Sequence, residues 1–256
     1  QDLVSEGIAR LAGKSSQATI VESYAGDDGQ EYLTNAVTEV SIAPNASVEH
    51  CKLQRESKQA FHITFTQVHL DRDSQYNHHA IKLGSGFVRN DVSAILDEQG
   101  IHCRLNGLSL ENGKRHVDNH TWIRHAKPHC ESHELYKGIL DEQSTGVFKG
   151  QIFVAKDAQK TDAKQTNQTL LLSKEAEIHS MPQLEIYADD VKCTHGSTTG
   201  HLEEEAVFYL QTRGLNQQAA RSLLTYAFAS EIVNFIGVEA IREQLDRLLK
   251  DHLKMD

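Results

Sequence analysis

The stretch Gly-Val-Phe-Lys-Gly-Gln-Ile-Phe-Val-Ala, residues 146–155, carries the clearest strand signal in the chain. Successive side chains of a β-strand point to opposite faces, so residues two apart share a face. One face of this stretch is apolar and the other is mixed, with Phe148, Ile152 and Val154 on the first and Lys149, Gln151 and Phe153 on the second. The alternation predicts a strand that turns one face to a core.

Short runs of the same kind recur from about residue 17 to residue 199, separated by Gly, Asn, Asp and Ser. They predict strands at 18–24, 36–42, 47–53, 61–70, 81–88, 92–96, 101–110, 146–155, 169–172 and 184–191. No amphipathic helix interrupts them, which excludes a regular βαβ arrangement and leaves a sandwich, a barrel or a β-helix. Hairpin signals are few and strand starts fall roughly 10–20 residues apart, which favours the β-helix.

The hydrophobic period changes to 3.6 after residue 199, which predicts three helices. The first carries an apolar stripe at Leu202, Ala206, Val207 and Leu210 and ends at Gly214. Asn216 is the predicted N-cap of the second, which ends near Gly237, and the third covers 238–253. We therefore expect a β-helix core domain over 1–200 and a C-terminal helical domain over 201–256.

The composition, with 39% hydrophobic and 24% charged residues among 256, is that of a soluble globular protein. No apolar run approaches the roughly 18 residues of a membrane-spanning helix. The formal net charge of −10 argues against sequence-independent binding to nucleic acid. The first residues do not resemble a secretory signal, so we expect a cytoplasmic protein with four free cysteines.

Five histidines and Cys130 fall within residues 112–134. Three of the histidines, His125, His129 and His133, are four apart and would align on a helix, but Pro128 lies among them and disfavours a helix interior. We favour structural roles, with the rings bonded to partners on turns. A metalloenzyme that uses His120, His125 and His129 stays open as an alternative.

Cys193 and His195 are two residues apart, so an extended strand would project both from one face. Lys192 and the imidazole would favour the thiolate, which binds soft metals. The alternative is a half-buried structural cysteine beside a hydrogen-bonded histidine, and spacing alone favours it. Phosphate-loop, nucleophile-elbow and His-Glu-x-x-His motifs are absent, and residues 83–86 are predicted to form a turn.

The segment around this pair, QLEIYADDVKCTHGSTTG (183–200), resembles the signature of SufD-type proteins in the SufB/SufD family of the SUF iron–sulfur cluster assembly system. Other blocks similar to the family are YLTNAVTE (32–39), HVDNHT (116–121), ELYKGILD (134–141), QKTDA with QTN (159–167), EEEAVFYL with RG (203–214) and residues 223–232. The resemblance covers about residues 17–236.

This resemblance implies a right-handed parallel β-helix followed by a small helical domain. It places Cys193 and His195 at an interface with a SufB-like protein, as candidate cluster and metal ligands. It makes the terminal helices the docking surface for a SufC-like ABC ATPase, over about 202–235. The docking residues implied by the match are Leu202, Val207, Leu210, Leu223, Tyr226 and Phe228.

The expected function is therefore that of a non-catalytic scaffold that pairs with SufB, or with a second copy of itself, and binds SufC. We expect no tightly bound cofactor in the isolated chain and a transient iron–sulfur cluster in the complex. A SufB-like scaffold and a carbohydrate-active β-helix enzyme are the alternatives. Family members usually carry a further, largely helical N-terminal region that is not recognisable here, so we expect a fragment or trimmed version of a longer protein.

Overall fold

The computed structural model describes residues 3–11 and 15–255, with the backbone alone for 3–11. Two seven-stranded sheets contain all the strands of these two ranges, and neighbouring strands within each sheet are parallel. The first sheet holds β1 (Leu3–Leu11), β3 (Leu33–Ile42), β5 (Phe61–Leu70), β7 (Phe87–Leu96), β9 (His116–His125), β11 (Thr145–Val154) and β13 (Glu177–Ile186). The second holds β2 (Gln17–Ala25), β4 (Ser47–Arg55), β6 (Gln75–Lys82), β8 (His102–Glu111), β10 (Glu131–Leu140), β12 (Asp162–Leu171) and β14 (Lys192–Gly200).

The chain alternates between the two sheets, so each coil contributes one strand to each and stacks on the coil before it. In the first sheet, for example, His116 lies beside Thr145, which lies beside Glu177. This arrangement confirms the predicted parallel β-helix. It has no need of hairpin turns, which accounts for how few hairpin signals the sequence contains.

The turns from the first sheet to the second resemble one another from coil to coil. In the five turns between β3 and β12, one residue has a positive φ: Asn45, Asp73, Gly100, His129 and Lys160 in successive coils. The stacked turns also bond to one another, as when the amide of Asn45 donates to the carbonyl of Arg72. Asn, Asp and Gly tolerate this left-handed conformation best.

The space between the two sheets, which we call the lumen, is filled by the inward-facing side chains of both. Val48, Leu70, Leu105, Phe148 and Ile152 are among the buried residues of this core. In β11 the apolar face points into the lumen and Lys149 points outward, as the alternation of that stretch predicts.

Three helices follow, α1 (Glu204–Thr212), α2 (Gln217–Asn234) and α3 (Glu239–His252). The Asn216 side chain accepts from the amide of Ala219, which confirms the predicted N-cap. The outer face of the second sheet and the helices share a second hydrophobic core, in which Leu108 and Ile139 lie with Ile232 and Leu249. The helical segment is thus packed along the flank of the β-helix. None of the described helices is long and apolar enough to cross a membrane.

Two strand predictions were misplaced. The predicted strand 81–88 spans the connection between β6 and β7, because Gly84 and Gly86 bring the backbone against that of the preceding coil. A Cβ on Gly84 would lie 2.5 Å from the carbonyl oxygen of Glu56. The turn predicted at 83–86 is correct. The predicted strand 184–191 overlaps the end of β13 and runs into the connection to β14.

Candidate functional site

The Cys-x-His pair lies on β14, the last strand of the second sheet. β14 pairs with β12 on one side, and no described strand pairs with its other side. Cys193 lies beside Ala163 and His195 lies beside Gln165. The pair therefore occupies an open sheet edge at the end of the β-helix.

Both side chains are on the lumen side of the sheet. Their neighbours on β12, Ala163 and Gln165, are buried in the lumen, and parallel pairing keeps adjacent residues on the same face. Cys193 is half-buried and packs against the lumen core, whereas His195 is exposed because no coil covers it. Cys193 and His195 therefore share one face of the strand, as predicted, and this face is accessible at the end of the β-helix.

The environment of Cys193 does not favour the thiolate, contrary to the expectation from its neighbours. Burial raises the pKa of the thiol, and the charge of Asp162 raises it further. Lys192 is one residue away along a strand, so its side chain points to the outer face. Because a metal binds the thiolate, metal binding at Cys193 would release a proton from the isolated chain.

The histidines near Pro128 do not converge. His120 is on the outer face of β9, where its Nε2 lies 3.0 Å from Asp118 and its Nδ1 lies 2.9 Å from Arg89. His125 points into the lumen, with Nε2 2.8 Å from the hydroxyl of Ser132, and His129 holds a left-handed turn. Within the described ranges, no group of three or more His, Cys, Asp or Glu residues is arranged to hold a metal. The prediction that these histidines lie on turns was correct only for His129; the other four lie on β9 and β10.

The implied docking residues on the helices differ in accessibility. Val207 on α1 is buried, and the other five are half-buried: Leu202, Leu210, Leu223, Tyr226 and Phe228. Phe228 faces inward, since the ammonium of Lys137 lies 4.2 Å from its ring centre. These six residues thus hold the helices in place as much as they offer a surface.

The family model described as "SUF system FeS cluster assembly, SufBD core domain" matches residues 6–228. The chain belongs to the SufBD family.

Relatives within this family come from distant organisms. The chain is 36% identical over 232 residues to the iron-sulfur cluster assembly protein SufD of Escherichia coli, covering 91% of this chain and 55% of that protein. It is 36% identical over 239 residues to a SufBD family protein of Synechocystis, covering 90% and 53%. It is 33% identical over 246 residues to the chloroplastic protein ABCI7 of Arabidopsis thaliana, covering 95% and 51%. The chain therefore spans about half the length of these relatives.

Two exposed apolar surfaces of this SufBD chain cannot be recognised from its sequence. On α1, Phe208 is 66% exposed and Tyr209 is 57% exposed. Near the open end of the β-helix, Met181 and Tyr187 are exposed as well. In the sequence, the aromatic pair on α1 adjoins the apolar stripe that contains Val207, and only the packing of α1 shows that it faces solvent.

Proposed function

We propose that the chain acts as a non-catalytic scaffold in SUF iron–sulfur cluster assembly. It pairs along β14 with a SufB-type subunit, or with a second copy of itself, and presents Cys193 and His195 at the seam. Its C-terminal helices dock a SufC-type ATPase. The family match supports the role in the SUF system, and the open edge at β14 is the observation that carries the assignment of the site.

The composition of β14 favours pairing with another strand. Natural proteins protect sheet edges with charged residues, Pro, bulges or covering segments. Over its nine residues β14 contains no Pro and a single lysine, Lys192, at its first position. The corresponding last strand of the first sheet, β13, contains Pro182, which cannot donate a hydrogen bond. Of the two strands at this end, β14 is therefore the better surface for adding a partner strand.

The two side chains suit a cluster that is bound and then released. A thiolate and an imidazole are both ligands of iron–sulfur centres, and the cluster is the cargo of this system. Because the thiol of Cys193 has a raised pKa, cluster binding must be coupled to loss of its proton. Two ligands from one chain are also too few for a complete ligand set, so a partner across the seam must supply the others.

A double substitution tests the site. In a complex reconstituted with SufB-type and SufC-type subunits, Cys193→Ala with His195→Ala should reduce cluster loading, measured by visible absorbance and iron content, to background. Both side chains are at least partly exposed, so the circular dichroism melting curve should change little. Thr194→Ala with Thr198→Ala, on the opposite face of the same strand, is the matched control. Normal loading of the Cys193/His195 variant would refute the site.

The docking surface is tested separately. Phe208→Ser with Tyr209→Ser should weaken binding of the ATPase in a pull-down, because it removes two exposed aromatic side chains from α1. Phe61→Ser changes an aromatic residue of the first sheet that is also exposed, and should leave ATPase binding intact. Equal binding by all three proteins would show that the ATPase docks elsewhere.

A further inference from the structure

A small cavity lies at the edge of the lumen, two strands away from the β14 edge. Its volume is about 20 Å³, and its lining includes two inward-facing glycines, Gly138 on β10 and Gly146 on β11. Every other coil fills the corresponding positions of the second sheet with a side chain, such as Lys82, Ser109 or Thr169. The cavity thus lies where Gly138 lacks the side chain that the other coils carry, whereas a Cβ on Gly146 would meet Ile178 at 2.9 Å and Leu140 at 3.0 Å.

Polar residues from both sheets line this cavity. Among them are Asn119 from the first sheet and Asn167 and Thr169 from the second, and all three are more than nine-tenths buried. Asn119 Oδ1, Asn167 Oδ1 and Thr169 Oγ1 each lack a hydrogen-bond partner among the described residues. The Asn167 amide nitrogen already donates to the carbonyl of Tyr136, which fixes its oxygen as the free atom. Buried polar groups left without a partner are costly and rare in folded proteins.

We propose that this cavity binds one water molecule that bridges the two sheets. A water molecule needs roughly 10–15 Å³ of such space and two to four polar partners, and both conditions are met here. The donor and acceptor roles of these atoms also suit a water molecule. The water donates its two hydrogens to the two amide oxygens and accepts the hydroxyl hydrogen of Thr169.

A substitution that fills the cavity should lower the stability of the chain if the cavity holds water, and raise it if the cavity is empty. A Cβ at Gly138 would lie 3.5 Å from Thr169 Cγ2 and Oγ1, an ordinary contact, so Gly138→Ala fits the protein while occupying the water position. If water is bound, the added methyl group displaces it and leaves the polar atoms without a hydrogen-bond partner. The unfolding equilibrium constant should therefore rise about tenfold. With a dry cavity, the added methyl group and the stiffer unfolded chain both stabilise, and the constant should fall.

Urea unfolding of the full chain measures this difference. Gly196→Ala is the matched control, since Gly196 also lies in a strand of the second sheet and a Cβ there meets nothing within 4 Å. Thr169→Val is a second probe: it should destabilise a wet site by removing one bond to the water, and stabilise a dry one by removing an orphaned hydroxyl. A higher urea midpoint for either Gly138→Ala or Thr169→Val would overturn the proposal.

Crystallography of the unchanged chain tests the site without depending on whether a variant folds. A map at high resolution should show one peak in the cavity, roughly 2.7–3.2 Å from the three oxygen atoms. An empty cavity, or side chains rearranged to bond one another, would refute the bound water.

Discussion

Proline substitutions on β14 should distinguish the backbone amides that face its open edge from those that bond to β12. In a parallel sheet, the N–H and C=O of one residue point to the same neighbouring strand, and successive residues alternate between neighbours. The amide of Lys192 donates to the carbonyl of Thr161 at 2.8 Å. The even-numbered residues of β14 therefore direct their amides to β12, and the odd-numbered residues direct theirs to the open edge. Residue 198 therefore directs its amide to β12, and residue 197 directs its amide to the open edge.

The two substitutions should consequently have opposite effects. Ser197→Pro removes an amide that makes no bond within the β-helix, so the chain should keep its stability. A partner strand on that edge loses one hydrogen bond of about 1 kcal/mol, which alone raises the dissociation constant about fivefold, and it also meets the ring. Thr198→Pro breaks a bond to β12 and should destabilise the chain by about 1–3 kcal/mol, lowering its Tm by roughly 2–4 °C per kcal/mol.

The assay combines thermal unfolding of each variant with titration against the SufB-type subunit. Ser197→Ala, which removes the hydroxyl and keeps the amide, is the control and should pair normally. If Ser197→Pro pairs as tightly as the unchanged chain, then the free edge of β14 is not the seam. If Ser197→Pro melts as early as Thr198→Pro, then the deduced alternation is wrong.

Three further predictions concern the body of the protein. Phe148→Ala, at a fully buried lumen position, should cost about 3–5 kcal/mol in urea unfolding, and Phe153→Ala on the outer face of the same strand clearly less. Burial raises the pKa of Glu111 to about 8 although Arg115 opposes the shift, so the folded state binds the extra proton and stability from this group falls as the pH rises from about 4.5 to 8. Glu111→Gln should therefore raise the Tm at pH 9 and leave it nearly unchanged at pH 4, and the opposite ranking would contradict the shift. Lys137→Met removes the ammonium that pairs with Glu231 and donates to the carbonyl of Phe228 at 3.1 Å, so hydrogen exchange should quicken in α2 and stay unchanged in β11.

The sequence predicted the elements in which one face is apolar. The strand at 146–155 and the helix after Asn216 both follow this rule, and both were placed to within a residue or two. The parallel β-helix itself was favoured by the shortage of hairpin signals, and it became specific only through the resemblance to the family. Strand alternation cannot by itself distinguish a coil of strands from a sandwich.

The strands β9 and β10 show why other elements were missed. Several of their inward positions are polar, including Asn119, His125 and Glu134, which are all buried. On the outer face of β10, Ile139 is buried too, because α2 covers the second sheet. When both faces of a strand are buried, and one carries polar groups, the period of two disappears from the sequence. For β10, only the position of the helices explains why both faces are buried.

Cys193 and His195 stand out by their position on the last strand, since the same residue types also occur in the buried part of the lumen. The column of the second sheet that ends at Cys193 also contains Cys103, which is 3% exposed and whose thiol pKa is raised by burial. The column that ends at His195 contains His50 and His78, both fully buried. Unlike these residues, Cys193 and His195 have no coil above them. A partner strand that continues the sheet on β14 would cover both side chains as the next coil covers Cys103. Pairing would thus enclose the two side chains between subunits, so that a cluster site there is formed by assembly and opened by separation of the seam.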